Sequence, residues 1–370
     1  MSRYKVPFVN FPKHFKTYEK EFMGTIREVL TKGDLILRHH TSDFEKNLAE
    51  YVGTKYAVGL SNGTSSLILS LRVSGIKAGD EVITVSHTFM ATISAIVLNG
   101  AIPVLVDVNK DFNMNMDEVE RAITPKTKAI IPVHLNGRIC DMERLMNIAK
   151  KHNLIVIEDA AQSLGATFNG QMAGSFGLAG SFSFYPFKLL GAFGDAGAIT
   201  TNDEEIYKQI RMLREHGENK IEGEREFYYH GYNERIDNLH AAILYVKLTH
   251  IKDYIDRRRE IAEMYKEGLK DIKNIYLPHF EDKRFYDVYQ NYVIRYDYRD
   301  KLVECLEEQG VETLISWPKP NYRHKVMQPN NYNMPETEKI CKTVVSLPMN
   351  PELSNEEVNY VIEIIKNFFN

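Results

Sequence analysis

Cysteine is scarce and scattered. Cys140, Cys305 and Cys341 show neither the even pairing of a disulfide framework nor the CxxC spacing of a zinc site. No stretch approaches about 18 uncharged apolar residues, so the sequence holds no candidate transmembrane helix. The start, Met1-Ser2-Arg3-Tyr4-Lys5-Val6-Pro7, carries charge without an apolar segment, so no signal peptide is read and a cytoplasmic location is expected. Charge of one sign is not in excess either. A net charge of −4 gives nucleic acid no electrostatic reason to bind. Internal repeats and low-complexity segments are also missing. What is present is 370 residues, 44% hydrophobic and 26% charged, the composition of a globular chain with two domains or one large and one small.

From about residue 56 to 201 the pattern repeats: an apolar run, Gly/Asn/Ser punctuation, then an amphipathic segment. Strands are expected at 56–60, 81–85, 102–108, 129–133, 154–157, 180–184 and 198–200. The middle ones are Ile/Val-rich on consecutive positions, as strands buried on both faces of a mostly parallel sheet require. Helical stretches at 65–73, 88–98 and 142–152 lie between them, which predicts α/β architecture with helices on both faces. The character changes near residue 237. A charged, helically spaced pattern over 236–270 reads as one long connector helix. A strand at 289–296, a helix at 300–309, a short strand at 311–315 and a closing helix at 355–368 follow. The expected division is therefore 1–236 as a large α/β domain and 237–370 as connector plus a smaller C-terminal α+β domain.

In such sheets ligands collect at the carboxyl ends of strands, and three turns there stand out. The first is Ser61-Asn62-Gly63-Thr64-Ser65-Ser66, where free amides at a helix start favour an anion such as phosphate. It could equally be a plain N-cap turn; its Asn-Gly-Thr sequon is a chance match without a secretion signal. The second ends the run 154–157 with Glu158-Asp159-Ala160-Ala161-Gln162, placing Asp159 where a carboxylate needs a partner, or where it simply caps a helix. The third is Ser181-Phe182-Ser183-Phe184-Tyr185-Pro186-Phe187-Lys188, a lone lysine in an aromatic, glycine-punctuated stretch. Desolvation would make its amine a Schiff-base nucleophile, whereas a stem packed on apolar surface with its head in water would have no such role. Together the three fit pyridoxal phosphate, which needs a lysine, a carboxylate for its pyridine nitrogen and a phosphate cup. The rival from another class is a nucleotide-binding protein. The run Gly174, Gly177, Gly180 lacks the G-x-G-x-x-G spacing and precedes a strand, and no P-loop motif occurs. A non-catalytic regulator on the same fold is the third reading.

The chain resembles the DegT/DnrJ/EryC1/StrS group of pyridoxal-phosphate nucleotide-sugar aminotransferases over nearly its full length. The matching segments are Gly63-Thr64, Pro132-Val133-His134-Leu135, Glu158-Asp159-Ala160-Ala161-Gln162, Ser181 to Lys188 with Gly194-Asp195-Ala196-Gly197-Ala198, and Asn233-Glu234-Arg235-Ile236-Asp237. The resemblance implies an aspartate-aminotransferase-like fold of type I. It implies that Lys188 is the Schiff-base lysine and proton carrier, and that Asp159 is the partner of the pyridine nitrogen. Gln162 would hydrogen-bond the phenolic oxygen and Phe89 would stack on the ring. Gly63, the amides of Thr64 and Ser65, and the Ser183 hydroxyl would hold the phosphate. Asn233 would reach the phosphate from the other subunit of a homodimer with shared sites.

Departures from the family pattern fall on Phe187-Lys188-Leu189, His240-Ala241-Ala242, Arg38-His39-His40 and Asn136. Arg38-His39-His40 could meet the phosphates of a sugar nucleotide or form a solvated loop. The implied reaction is transfer of an amino group from L-glutamate to a nucleotide-linked keto sugar. The wording around Lys188 is closer to enzymes that aminate C3 of a dTDP-linked 3-keto-6-deoxyhexose than to those acting at C4 of UDP- or GDP-linked 4-keto sugars. A lysine at 188 also argues against the family's dehydratases, which carry histidine there.

Overall fold

A computed structural model describes residues 4–221, 224–278, 281–327 and 332–370. At its centre is a seven-stranded sheet of β1 (Tyr56–Leu60), β2 (Glu81–Val85), β3 (Ile102–Val106), β4 (Thr127–Ile130), β5 (Ile155–Asp159), β6 (Ala179–Ser183) and β7 (Gly197–Thr201), in the order β1-β7-β6-β5-β4-β2-β3. β7 runs antiparallel to both its neighbours, and all the other pairings are parallel. Consecutive residues on the middle strands serve opposite faces. Ile83, Ile130 and Val156 bury into one apolar cluster, while Val82, Ala129, Ile131 and Ile157 bury into another. This is why those strands read as unbroken apolar runs.

Two helices precede the sheet, α1 (Phe11–Lys32) and α2 (His39–Val52), and neither was expected from the sequence pattern. The crossover helices are α3 (Gly63–Val73), α4 (Met90–Leu98), α5 (Met116–Ala122) and α6 (Met142–His152), with α7 (Glu204–Arg214) after β7. All but α4 are capped at the start by a side chain; Asn62 accepts from the Ser65 amide and Asp141 from the Arg144 amide.

The expected connector over 236–270 is two helices, α8 (Asn238–Thr249) and α9 (Ile251–Leu269), parted at His250. The His250 ring is drawn aside to Glu21 Oε2 at 2.9 Å and packs 4.6 Å from the Tyr18 ring, so contacts with α1 override the helical pattern. α9 then links two cores: Ile251, Tyr254 and Ile255 join the large cluster around the sheet, whereas Ile261, Tyr265 and Leu269 join a second one. That second cluster gathers α10 (Arg299–Glu308), β8 (Tyr292–Arg295), β9 (Val344–Leu347) and α12 (Asn355–Phe369), with α11 (Pro335–Thr343) leading into β9. β8 and β9 pair antiparallel. Val6 from the chain's start also belongs there, and its bridge to Val311 is what stands at the expected strand 311–315, together with a bridge from Leu314 to Ser346.

Packing behind the sheet tolerates no added atom at Gly180 on β6. A Cβ there would lie 2.4 Å from the Cα and carbonyl oxygen of Gly174, both main-chain atoms that cannot step aside. We expect Gly180→Ala to lower the unfolding free energy by ~1–3 kcal/mol. A urea melt with an unchanged midpoint would contradict the tight crossing.

Candidate active site

The carboxyl edge of the sheet opens into a cavity of about 720 Å³. Gly63, Thr64, Phe89, Asp159, Gln162, Ser183 and Lys188 all line it. Seven residues singled out in the sequence, spread over 126 positions from 63 to 188, therefore meet at one place.

Asp159 is the last residue of β5 and 6% exposed. Its main chain is fixed at both polar groups by one segment: the amide donates to Pro132 O (2.9 Å) and the carbonyl accepts from His134 N (3.0 Å). Its carboxylate accepts from Thr92 Oγ1 (2.8 Å) and from the Ala161 amide (3.2 Å). Burial pushes its pKa up, against the Thr92 and Ala161 hydrogen bonds and the charge of Lys188. The neighbouring Glu158 points to the other face, as strand alternation demands. It is wholly buried and accepts from the amides of Gly174 (2.8 Å), Phe176 (2.7 Å) and Gly177 (2.8 Å). His134 completes its shell at 3.0 Å. The Cys140 amide donates to His134 Nδ1, so the ring proton is on Nε2 and donates to Glu158.

Opposite lies the start of α3. The amides of Gly63 and Thr64 belong to its first turn, ahead of the intrahelical ladder, and the helix dipole adds positive character there. The Ser65 amide is taken by the Asn62 side chain at 2.8 Å, and Ser65 is not among the lining residues. A Cβ on residue 63 would sit 2.7 Å from Ser183 Cβ, so glycine is what lets the helix start press against the end of β6. Gly197 does the same from β7, where a Cβ would lie 2.4 Å from the Asn62 carbonyl carbon.

Lys188 sits in the loop after β6, half-buried, with its amide donating to Tyr185 O at 2.8 Å. Burial lowers its pKa to about 8, and the charge of Asp159 acts against that shift. The sign matters chemically. An amine with a pKa of about 8 is ~10% neutral at pH 7, hundreds of times more than an ordinary lysine, so its nucleophilic fraction rises as pH passes through 8.

Phe89 stands at the mouth, 64% exposed. Gln162 Oε1 accepts from the Asn136 amide at 2.8 Å, which leaves its amino group to face other partners. Asn136 holds a left-handed backbone (φ 58°) and pairs through Oδ1 with Asn291 at 3.1 Å. Asn233 is outside the cavity, exposed on the surface and bridged through its backbone to Glu215. Arg38, His39 and His40 are also outside it, with His39 and His40 near Glu28.

Sequence reasoning missed three contributors. Thr92 is on α4 one turn after Thr88, a spacing that any helix could show. Gln290, 6% exposed, lines the cavity and reaches the main chain on both sides of Lys188. Trp317, the chain's one tryptophan, lines the far wall with a left-handed backbone (φ 51°), unusual for so bulky a residue. It packs edge-on against the buried His87 ring at 5.3 Å. Burial, with Arg295 adding to it, pushes the pKa of His87 down to about 3.

These groups fit pyridoxal 5′-phosphate: a lysine amine, a carboxylate across from it, an anion-accepting helix start and an exposed aromatic face. The comparisons with known proteins point the same way. The family model described as "DegT/DnrJ/EryC1/StrS aminotransferase family" matches residues 16–366. A dTDP-3-amino-3,6-dideoxy-alpha-D-galactopyranose transaminase of Aneurinibacillus thermoaerophilus is 43% identical over 98% of this chain and 99% of its own. A protein of Geobacillus stearothermophilus named a pleiotropic regulatory protein is 40% identical over 98% of each chain. Among solved structures, DesV of S. venezuelae in complex with a ketimine intermediate superposes with a TM-score of 0.92 at 36% identity, covering 98% of both chains. The large, mostly parallel sheet with its flanking helices is the expected fold of type I. The chain belongs to the DegT/DnrJ/EryC1/StrS aminotransferase family.

Proposed function

We propose that this enzyme transfers an amino group from L-glutamate to C3 of a dTDP-linked 3-keto-6-deoxyhexose, using pyridoxal 5′-phosphate held at Lys188. The observation that carries the reading is the convergence of Lys188, Asp159 and the α3 start on one cavity. When bound, the cofactor supplies an electrophilic carbonyl carbon and an electron-withdrawing ring that carries the amino group between donor and acceptor. Lys188 Nζ attaches it covalently and, once released, takes and returns the proton at the reacting carbon. Asp159 holds a proton on the pyridine nitrogen; Thr92 and the Ala161 amide aim the carboxylate. The Gly63 and Thr64 amides and Ser183 receive the phosphate, and Phe89 covers one face of the ring. The dTDP sugar is favoured by the transaminase relative at 43% identity, whose name specifies a dTDP sugar with its amino group at position 3. The regulatory name of the other relative has no counterpart in a site that keeps a lysine, its carboxylate and the helix start together.

The enzyme is expected to act as a homodimer, with Asn233 of each subunit completing its partner's site; the surface position of Asn233, away from its own cavity, supports this. Among the described residues no helix is long and apolar enough to cross a membrane.

Glutamate and a panel of dTDP-, UDP- and GDP-linked 3-keto and 4-keto sugars, with product NMR, test the reaction. Amination at C3 of the dTDP sugar by wild type, and its loss by at least ~10³-fold in a folded Lys188→Ala variant, are expected. Exclusive C4 amination, or turnover without Lys188, would overturn the assignment. Asp159→Asn should retain the fold and lose ~10²-fold in kcat, because a neutral amide no longer favours the protonated pyridine; unchanged kcat would count against Asp159. Mixing inactive Lys188→Ala with impaired Asn233→Ala subunits should restore about a quarter of wild-type activity, since mixed dimers keep one intact site of two. No recovery after subunit exchange would argue for sites made by single subunits.

A further inference from the structure

A lysine on a loop is only as well aimed as the loop is held. The segment after β6 has few strand pairings, so its order comes from scattered contacts. Ala192 N donates to Phe184 O at 2.8 Å, and the buried Lys247 Nζ donates to Gly191 O at 2.5 Å. The two main-chain groups that flank Lys188 are both met by one side chain from a hundred residues away. Gln290 Nε2 donates to Phe187 O at 2.9 Å, and Gln290 Oε1 accepts from Leu189 N at 2.6 Å.

Gln290 is itself held firmly. Its carbonyl accepts from Arg258 Nη1 at 3.1 Å, and the same nitrogen reaches Tyr289 O (3.1 Å) and Met349 O (2.9 Å). Its amide nitrogen lies against Gly137, where a Cβ would approach to 2.5 Å. The grip thus runs from the second core, through the buried arginine of α9, to the loop that carries the lysine.

We propose that Gln290 is a positioning residue: its carboxamide fixes the peptide units on both sides of Lys188 and so aims the amine into the cavity that Asp159 lines. A carboxamide offers one donor and one acceptor in the plane this requires; an ionised carboxylate has no donor, and a thioether has no donor and only a weak acceptor. The inference rests on the reading of Lys188 as the covalent lysine. Because Gln290 also lines the cavity, the test must separate aiming the lysine from touching substrate.

Two variants do so in the full-length enzyme. Gln290→Met keeps the length and removes both hydrogen bonds; Gln290→Glu keeps the acceptor and replaces the donor with charge. With cofactor bound, both should lose roughly ten- to a hundredfold in kcat, while KM for glutamate and for the sugar nucleotide moves less than about threefold. The second readout is the pH at which Lys188 is half-labelled by an amine-reactive reagent in cofactor-stripped, full-length protein, followed by peptide mass spectrometry. Wild type should give a midpoint near 8, and both variants a higher one as Nζ moves into water. The added charge of Gln290→Glu should raise it further. Wild-type kcat and midpoint in either folded variant would overturn the proposal. So would a change confined to KM for the sugar, which would mark Gln290 as a substrate contact. If Lys188→Ala retained turnover, the reading of Lys188 would fail instead, whatever the Gln290 variants did.

Discussion

The architecture turns on the cost of bringing a carboxylate and an amine of opposite charge to the dry edge of a sheet. Each is disfavoured in its charged form by burial, and each offsets part of the other's penalty. That balance persists only if both groups are held still. Asp159 meets the requirement by being part of β5, with main-chain bonds to Pro132 and His134 on the adjoining segment. Lys188 has no strand beneath it and depends on side chains sent from elsewhere. The asymmetry suits the proposed roles. A partner for a ring nitrogen would gain from rigidity, whereas an amine that must release and recapture its ligand would need a side chain that swings from a fixed root.

Glu158 and Asp159 show how a strand divides labour between consecutive acids. The one turned away from the cavity is enclosed by three amides and a histidine, a complete shell that ties the turn at 174–177 to β5. The cavity-facing one is left with coordination to spare. Two consecutive carboxylates thus meet opposite surroundings, because the pleat turns them to different sides.

How much of this was legible follows from what kind of signal each part leaves. The buried strands were readable because Val, Ile and Leu on consecutive positions admit few alternatives, and β1 and β2 begin and end where the pattern says. Asp159, Lys188 and Gly63, which line one cavity, were legible only in combination, since each alone fits equally a helix cap, a plain turn or a lysine with its head in water. α1 and α2 were not, since their exposed faces are mostly charged and their order comes from packing on α8 and the sheet. The break at His250 was invisible, as nothing in the local spacing announces a tertiary contact with Glu21 and Tyr18. Gln290 left no trace for the same reason: one of two adjacent carboxamides between tyrosines, it gains meaning only when the fold brings it to residues 187 and 189.

Trp317 carries a practical consequence. With no second indole in the chain, emission excited at the red edge of aromatic absorption arises from this one wall of the cavity. Occupancy of the neighbouring volume by any chromophore or polarising group changes the quantum yield or lifetime of that single fluorophore. The protein therefore carries an intrinsic optical gauge, read without labels, at the place where its ligands arrive.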